Sequence, residues 1–128
     1  MFLGVVGSRR RNSDADKSLI REKIKSFLCS GSVVLVSGGC KKGADRFAEE
    51  LAVELGLEII VFLPDLTNCK QRWQFTKEYF KRDKLIAEKS DVLIACVAPD
   101  RKGGTEKTIE EFRKNRVFKG GKTELILL

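Results

Sequence analysis

Short apolar runs alternate along the chain with longer polar stretches whose apolar residues recur at helical spacing. The runs Phe2–Val6, Ser32–Val36, Glu58–Leu63, Asp91–Val97 and Thr123–Leu128 read as strands, with Pro64 ending the third. After the first run, Asn12, Ser13 and Asp14 are helix-start residues. Leu19, Ile20, Ile24, Phe27 and Leu28 mark the buried face of the helix that follows, and Ser30-Gly31 closes it. A second helix spans Ala44–Leu55, with Phe47, Ala48, Leu51, Ala52 and Leu55 as its inner stripe and Gly56 as its C-cap. Gln71–Lys89 reads as a third, long helix. Its Trp73, Phe75, Tyr79 and Phe80 are expected to pack against a sheet, with a base-stacking surface as the alternative. A fourth helix follows Gly103-Gly104, capped by Thr105, and runs to about Lys114; Lys119–Lys122 reads as a turn.

Strands that alternate with helices predict a parallel sheet with right-handed crossovers. The expected fold is α/β: a Rossmann-like, three-layer α/β/α domain over residues 1–128, with a five-stranded parallel sheet in the order 3-2-1-4-5. Ligands of such sheets sit outside the carboxyl ends of the strands, where the strand order reverses. Here that point lies between strands 1 and 4.

Three strand ends carry matching chemistry. The first is Gly7-Ser8-Arg9, followed by Arg10 and Arg11; the second is Ser37-Gly38-Gly39, leading through Gly43 into a helix; the third is Gly103-Gly104-Thr105. Glycines let backbone N–H groups approach an anion, and a helix N-terminus adds partial positive charge. A guanidinium such as that of Arg9 can grip phosphate with two hydrogen bonds. Asp45, in the first turn of the second helix, is a candidate either to cap that helix or to contact ligand hydroxyls.

Composition narrows the chemistry. The chain has 128 residues, 42% of them hydrophobic, and a net charge of +7, which favours phosphorylated or polyanionic partners. It contains no histidine, so Ser-His-Asp and Cys-His catalysis are excluded and a zinc site is not expected. No cysteine pair has C-x-x-C spacing; Cys29 and Cys96 read as core, Cys40 and Cys69 as candidates for exposure. No paired carboxylates show Mg²⁺ spacing, and neither a Walker A loop nor G-x-G-x-x-G is present. The expected partner is a nucleotide or phosphorylated small molecule, with no cofactor, no metal and no membrane. Nucleic acid is a weaker alternative. Met1-Phe2-Leu3 leads straight into a strand, so no signal peptide is expected and a cytoplasmic location is.

Taken together, Gly7-Ser8-Arg9, Val36-Ser37-Gly38-Gly39 with Gly43-Ala44-Asp45-Arg46, and Gly103-Gly104-Thr105 resemble the SLOG superfamily of Rossmann-like nucleotide-binding proteins. The resemblance covers essentially the whole chain and is nearest to small single-domain, YpsA-like members. It implies a nucleotide ligand and a homodimer. The superfamily includes the LONELY GUY phosphoribohydrolases and the single-strand binder DNA-processing protein A. The hydrolases carry an Arg-Lys pair before the fourth strand, where this chain has Arg82-Asp83. The resemblance therefore implies Arg82 as a ligand-binding or catalytic residue. The hydrolases also carry P-G-G-x-G-T-x-x-E after that strand. This chain has only Lys102-Gly103-Gly104-Thr105, and Thr108 stands where the glutamate is expected. Glycosidic cleavage needs a carboxylate at the ribose, and Glu106 or Glu110 is the candidate. The favoured expectation is a sensor or binding module. Ser8, Arg9, Gly38, Gly39 and Thr105 would hold phosphate, Asp45 or Glu106 would contact ribose, and Arg82 would add charge. An N-glycosidase acting on nucleoside monophosphates is the alternative, and single-stranded nucleic-acid binding the third reading.

Overall fold

The apolar runs pair into one parallel sheet whose strands are joined by helices. In chain order the elements are β1 (Phe2–Gly7), α1 (Asp14–Leu28), β2 (Val34–Ser37), α2 (Ala44–Leu55) and β3 (Glu58–Val61), then α3 (Arg72–Lys89), β4 (Val92–Cys96), α4 (Gly104–Phe118) and β5 (Glu124–Leu127). The sheet order is β3-β2-β1-β4-β5, as expected. The computed structural model describes residues 1–118 and 124–128. The turn expected over Lys119–Lys122, and Thr123 at the start of the last strand, lie outside the described residues.

β1 is the hinge of the topology. It pairs with β2 through Phe2 opposite Val34 and Gly4 opposite Val36, and with β4 through Leu3 opposite Val92 and Gly7 opposite Cys96. Alternation along the strands divides the core in two. Leu3, Val5, Leu35 and Ile94 face α1 and α2, where they meet Ile20, Ile24, Phe47 and Leu51. Val6, Val36, Leu93 and Ala95 face α3 and α4, where they meet Ile86, Ala87, Ile109 and Phe112. Among the described residues no helix is long and apolar enough to cross a membrane.

Several expectations need correcting. β2 runs on through Ser37 instead of stopping at Val36, and β3 ends at Val61 instead of Leu63. β3 is an edge strand, and its partner β2 offers no ladder beyond Ser37 opposite Val61 apart from the bond from Phe62 N to the Ser37 carbonyl, 2.9 Å. Leu19 is 48% exposed, beside the buried stripe of α1 instead of in it. Cys29 is exposed at the C-cap of α1, whereas Cys96 is buried in β4. Of the four aromatics of α3, Trp73 and Phe80 are exposed instead of packed against the sheet, and the buried residues of this helix are Asp83, Ile86 and Ala87. Thr105 does not precede α4 as a cap, because the helix already begins at Gly104 and extends to Phe118.

Candidate functional site

The end of β1 turns sharply. The Ser8 amide donates to the Cys96 carbonyl at 2.9 Å, and the Ser8 carbonyl and hydroxyl accept from the amides of Arg11 and Arg10 at 3.0 and 3.2 Å. The turn splits the arginine run. Arg10 forms a bidentate pair with Asp100, at 2.9 and 2.5 Å. Arg11 donates to Asp16 of α1 at 2.8 Å and to the carbonyls of Val97 and Leu128 at 3.2 and 2.5 Å. Arg9, exposed at the tip, has no acceptor for its guanidinium among the described residues.

The central turn is organised around an internal anion. The Asp45 carboxylate folds back from the first turn of α2 and accepts from the Cys40 amide at 3.0 Å. The Gly38 amide also supports its charge, and so does Ser37. The Ser37 Oγ is fully buried and has no partner in ordinary hydrogen-bond geometry. The Gly38 carbonyl accepts from Arg82 Nη1 at 2.6 Å, and the Gly43 amide donates to Asn12 Oδ1 at 2.7 Å. Ser37, Gly38, Gly39 and Gly43 were all candidates to line a phosphate cradle. None of them lines the cleft, and Asp45 takes up the Cys40 amide that a bound anion would otherwise meet.

α3 supplies the middle of the site. Arg82 Nε donates to Asp83 Oδ1 at 2.8 Å while Nη1 holds Gly38, so this one guanidinium ties α3 to the end of β2. Its Cζ lies 5.7 Å from the centre of the Tyr79 ring. Burial pushes the Asp83 carboxyl above the ordinary range. Arg82 and the Thr108 hydroxyl hold it down in part, and the neighbouring charge of Asp45 pushes it further up. Burial raises the Asp45 carboxyl too, against the Cys40 amide, the Arg82 charge, Ser37 and the Gly38 amide.

These pieces enclose a cleft of about 530 Å³, within the range of small-ligand sites. From the expected set it gathers Gly7, Ser8 and Arg9 at β1, Asp45 at α2, Arg82 at α3, and Gly103, Gly104 and Thr105 at α4. The amides of Gly104 and Thr105, at the open N-terminus of α4, have no acceptor among the described residues. Glu106 and Glu110 do not line the cleft. Arg101 clamps Glu106 at 2.9 Å, and Glu110 faces outward between Lys107 and Lys114. Cleft residues that the sequence did not single out for a site include Asp83, Thr108 and Lys102, and Tyr79, a candidate for base stacking, also lines the cleft. Asp83 carried a readable signal: it falls four residues after Tyr79 and three before Ile86, a carboxylate on the apolar stripe of α3. The chain matches no protein-family model and no curated protein.

Proposed function

We propose that the cleft binds a nucleotide or a nucleotide-derived phosphorylated ligand, and that the protein is a sensor or binding module. One observation carries this reading. The Cys40 and Gly38 amides of the central turn are engaged by Asp45, whereas the Arg9 guanidinium and the amides of Gly104 and Thr105 line the same cleft with no acceptor among the described residues. Phosphate belongs between Arg9 and the start of α4, where charge, dipole and the Thr105 hydroxyl act together. Asp45, which lines the same cleft, is the candidate to meet ribose hydroxyls, and the Tyr79 ring is the candidate to meet the base. The likeness of the three strand-end motifs to SLOG proteins supports the same ligand class.

Thermal unfolding against a nucleotide panel, with phosphate and pyrophosphate as controls, tests the reading. A ligand at 100 times its Kd stabilises the fold by about 2.7 kcal/mol, a shift of several degrees. One nucleotide should stand well above pyrophosphate, and Arg9→Gln should weaken it about tenfold. Shifts that follow anion charge alone would reject the cleft.

Asp83 favours a second reading, an N-glycosidase on nucleoside monophosphates. The carboxylate that Glu106 and Glu110 do not provide is present as Asp83, beside Arg82 and Thr108, with its proton affinity raised. A carboxyl held in that state can protonate a leaving base or activate water. Free base released from a nucleoside monophosphate, and abolished in Asp83→Asn, is the expected outcome; intact nucleotide after long incubation would end this reading.

A further inference from the structure

α3 exposes two of its large aromatic residues. Trp73 is 61% exposed and Phe80 42%. Trp73 is held in place by its Nε1–H, which donates to Gln71 Oε1 at 2.8 Å. At helical spacing, Trp73, Lys77, Phe80, Lys81 and Lys84 form one stripe, away from the buried Asp83, Ile86 and Ala87. Together with Lys107 of α4 the stripe lines a groove of about 490 Å³. Lys81 pairs with Glu78 and Lys107 with Glu111, but Lys77 and Lys84 have no carboxylate partner among the described residues. The groove adjoins the cleft: Thr76 and Phe80 line both.

We propose that this shelf takes the following nucleotides of a single strand whose terminal nucleotide occupies the cleft; the proposal rests on the nucleotide reading of that cleft. Exposed rings interleaved with unpaired cations are what a single strand requires: faces for its bases and charge for its phosphates. The stripe from Trp73 to Lys84 is about 16 Å long at helical rise. That exceeds one nucleotide, since a stacked strand advances about 3.4 Å along its axis per nucleotide. A lipid surface also attracts lysine and tryptophan, but it cannot enter the cleft that adjoins this groove. The shared Thr76 and Phe80 lining between groove and cleft therefore favours the strand.

Trp73 is the single tryptophan of the chain and reports directly on the shelf. The experiment titrates the full chain with oligoadenylates and oligothymidylates carrying a 5′-phosphate, from mononucleotide to octanucleotide. It follows Trp73 fluorescence and thermal unfolding in parallel. Mononucleotides should stabilise the fold and leave Trp73 unquenched. Longer strands should bind at least tenfold more tightly, quench Trp73 and weaken with salt. The double substitution Lys77→Gln with Lys84→Gln should keep the mononucleotide response, lose the gain with length and flatten the salt slope by about 0.7 per lysine. Mononucleotide binding with no gain for longer strands overturns this proposal and leaves the proposed function standing. Quenching by strands that ignores the lysine substitutions, or stronger quenching by anionic phosphatidylserine vesicles at equal ionic strength, also overturns it. Strand binding without a mononucleotide response, or no binding at all, overturns both.

Discussion

Gly43 sits directly before α2 at φ +72°, and a Cβ there would lie 2.8 Å from the Ser8 carbonyl oxygen. An L side chain is strained in that conformation, and here it also meets backbone. The contact is what seats the β1–α1 turn, with Arg9, on the start of α2. Gly43→Ala should cost about 1–3 kcal/mol of stability and should weaken nucleotide binding as Arg9 is displaced, checked by urea unfolding and ligand titration of one sample. Gly38 is restricted for another reason. A Cβ there would be 2.7 Å from Arg82 Nη1 and 3.0 Å from Asp45 Oδ2, the two groups that define the floor of the cleft. The sequence showed both glycines as marks of a turn. It could not show that one makes room for a neighbouring loop and the other for a guanidinium.

The helices were legible from their periods and caps, and α1 shows how far that reading goes. Its Ser13 Oγ accepts from the Asp16 amide at 3.1 Å, and the Asp16 carboxylate returns to the Ser13 amide at 3.3 Å, a reciprocal cap. Arg11 adds a charged bond to the same carboxylate. Burial pushes the Asp16 carboxyl up, but Ser13 and Arg11 together outweigh it and hold the carboxyl below its ordinary value. The folded state therefore binds this proton less readily than the unfolded chain. The stabilisation is present above the unfolded value, near pH 4, and is lost as pH falls through the lower folded value. Asp16→Ala should cost about 1 kcal/mol at neutral pH and should show a smaller further loss on acidification than the parent, measured as urea midpoints across a pH series. The cap residues are local in sequence, so Ser13 was readable as a helix start. The Arg11 contact was not, because it needs the β1 turn to be in place.

At the scale of the molecule the two helical layers are unequal. The α1–α2 face is filled by large apolar residues such as Phe47, Leu51 and Ile24. The α3–α4 face mixes its apolar residues with buried Asp83, Ser90 and Thr108, and the cleft opens there. A ligand that bridges Arg9 to the start of α4 therefore tightens mainly this layer. Hydrogen exchange should slow on nucleotide binding at Thr76–Asp83 and Gly103–Thr108, with β3 and the body of α1 unchanged. Uniform slowing across both layers would show binding elsewhere. The charge of +7 pointed to anionic partners but not to a place. The place emerges only after Arg10, Arg11 and Arg101 are matched to Asp100, Asp16 and Glu106.

The sequence by itself determined the element order and the sheet order, but it placed the end of β2 (Ser37, Gly38, Gly39 and Gly43) in a cleft that these residues do not line. The two orders follow from hydrophobic period, caps and the handedness of crossovers, which act over short stretches of chain. It also brought Gly7, Ser8, Arg9, Asp45, Arg82 and Gly103–Thr105 to one site. Tertiary structure alone decided which groups remain free to meet a ligand. Arg10 is neutralised by a residue 90 positions away, Arg11 is bound by a carbonyl 117 positions away, and Arg82 is anchored by a carbonyl 44 positions away. A donor's availability depends on acceptors that only folding brings near. For that reason the local pattern could single out Arg9 within Gly7-Ser8-Arg9 but could not show that Arg10 and Arg11 are taken up by Asp100 and Asp16.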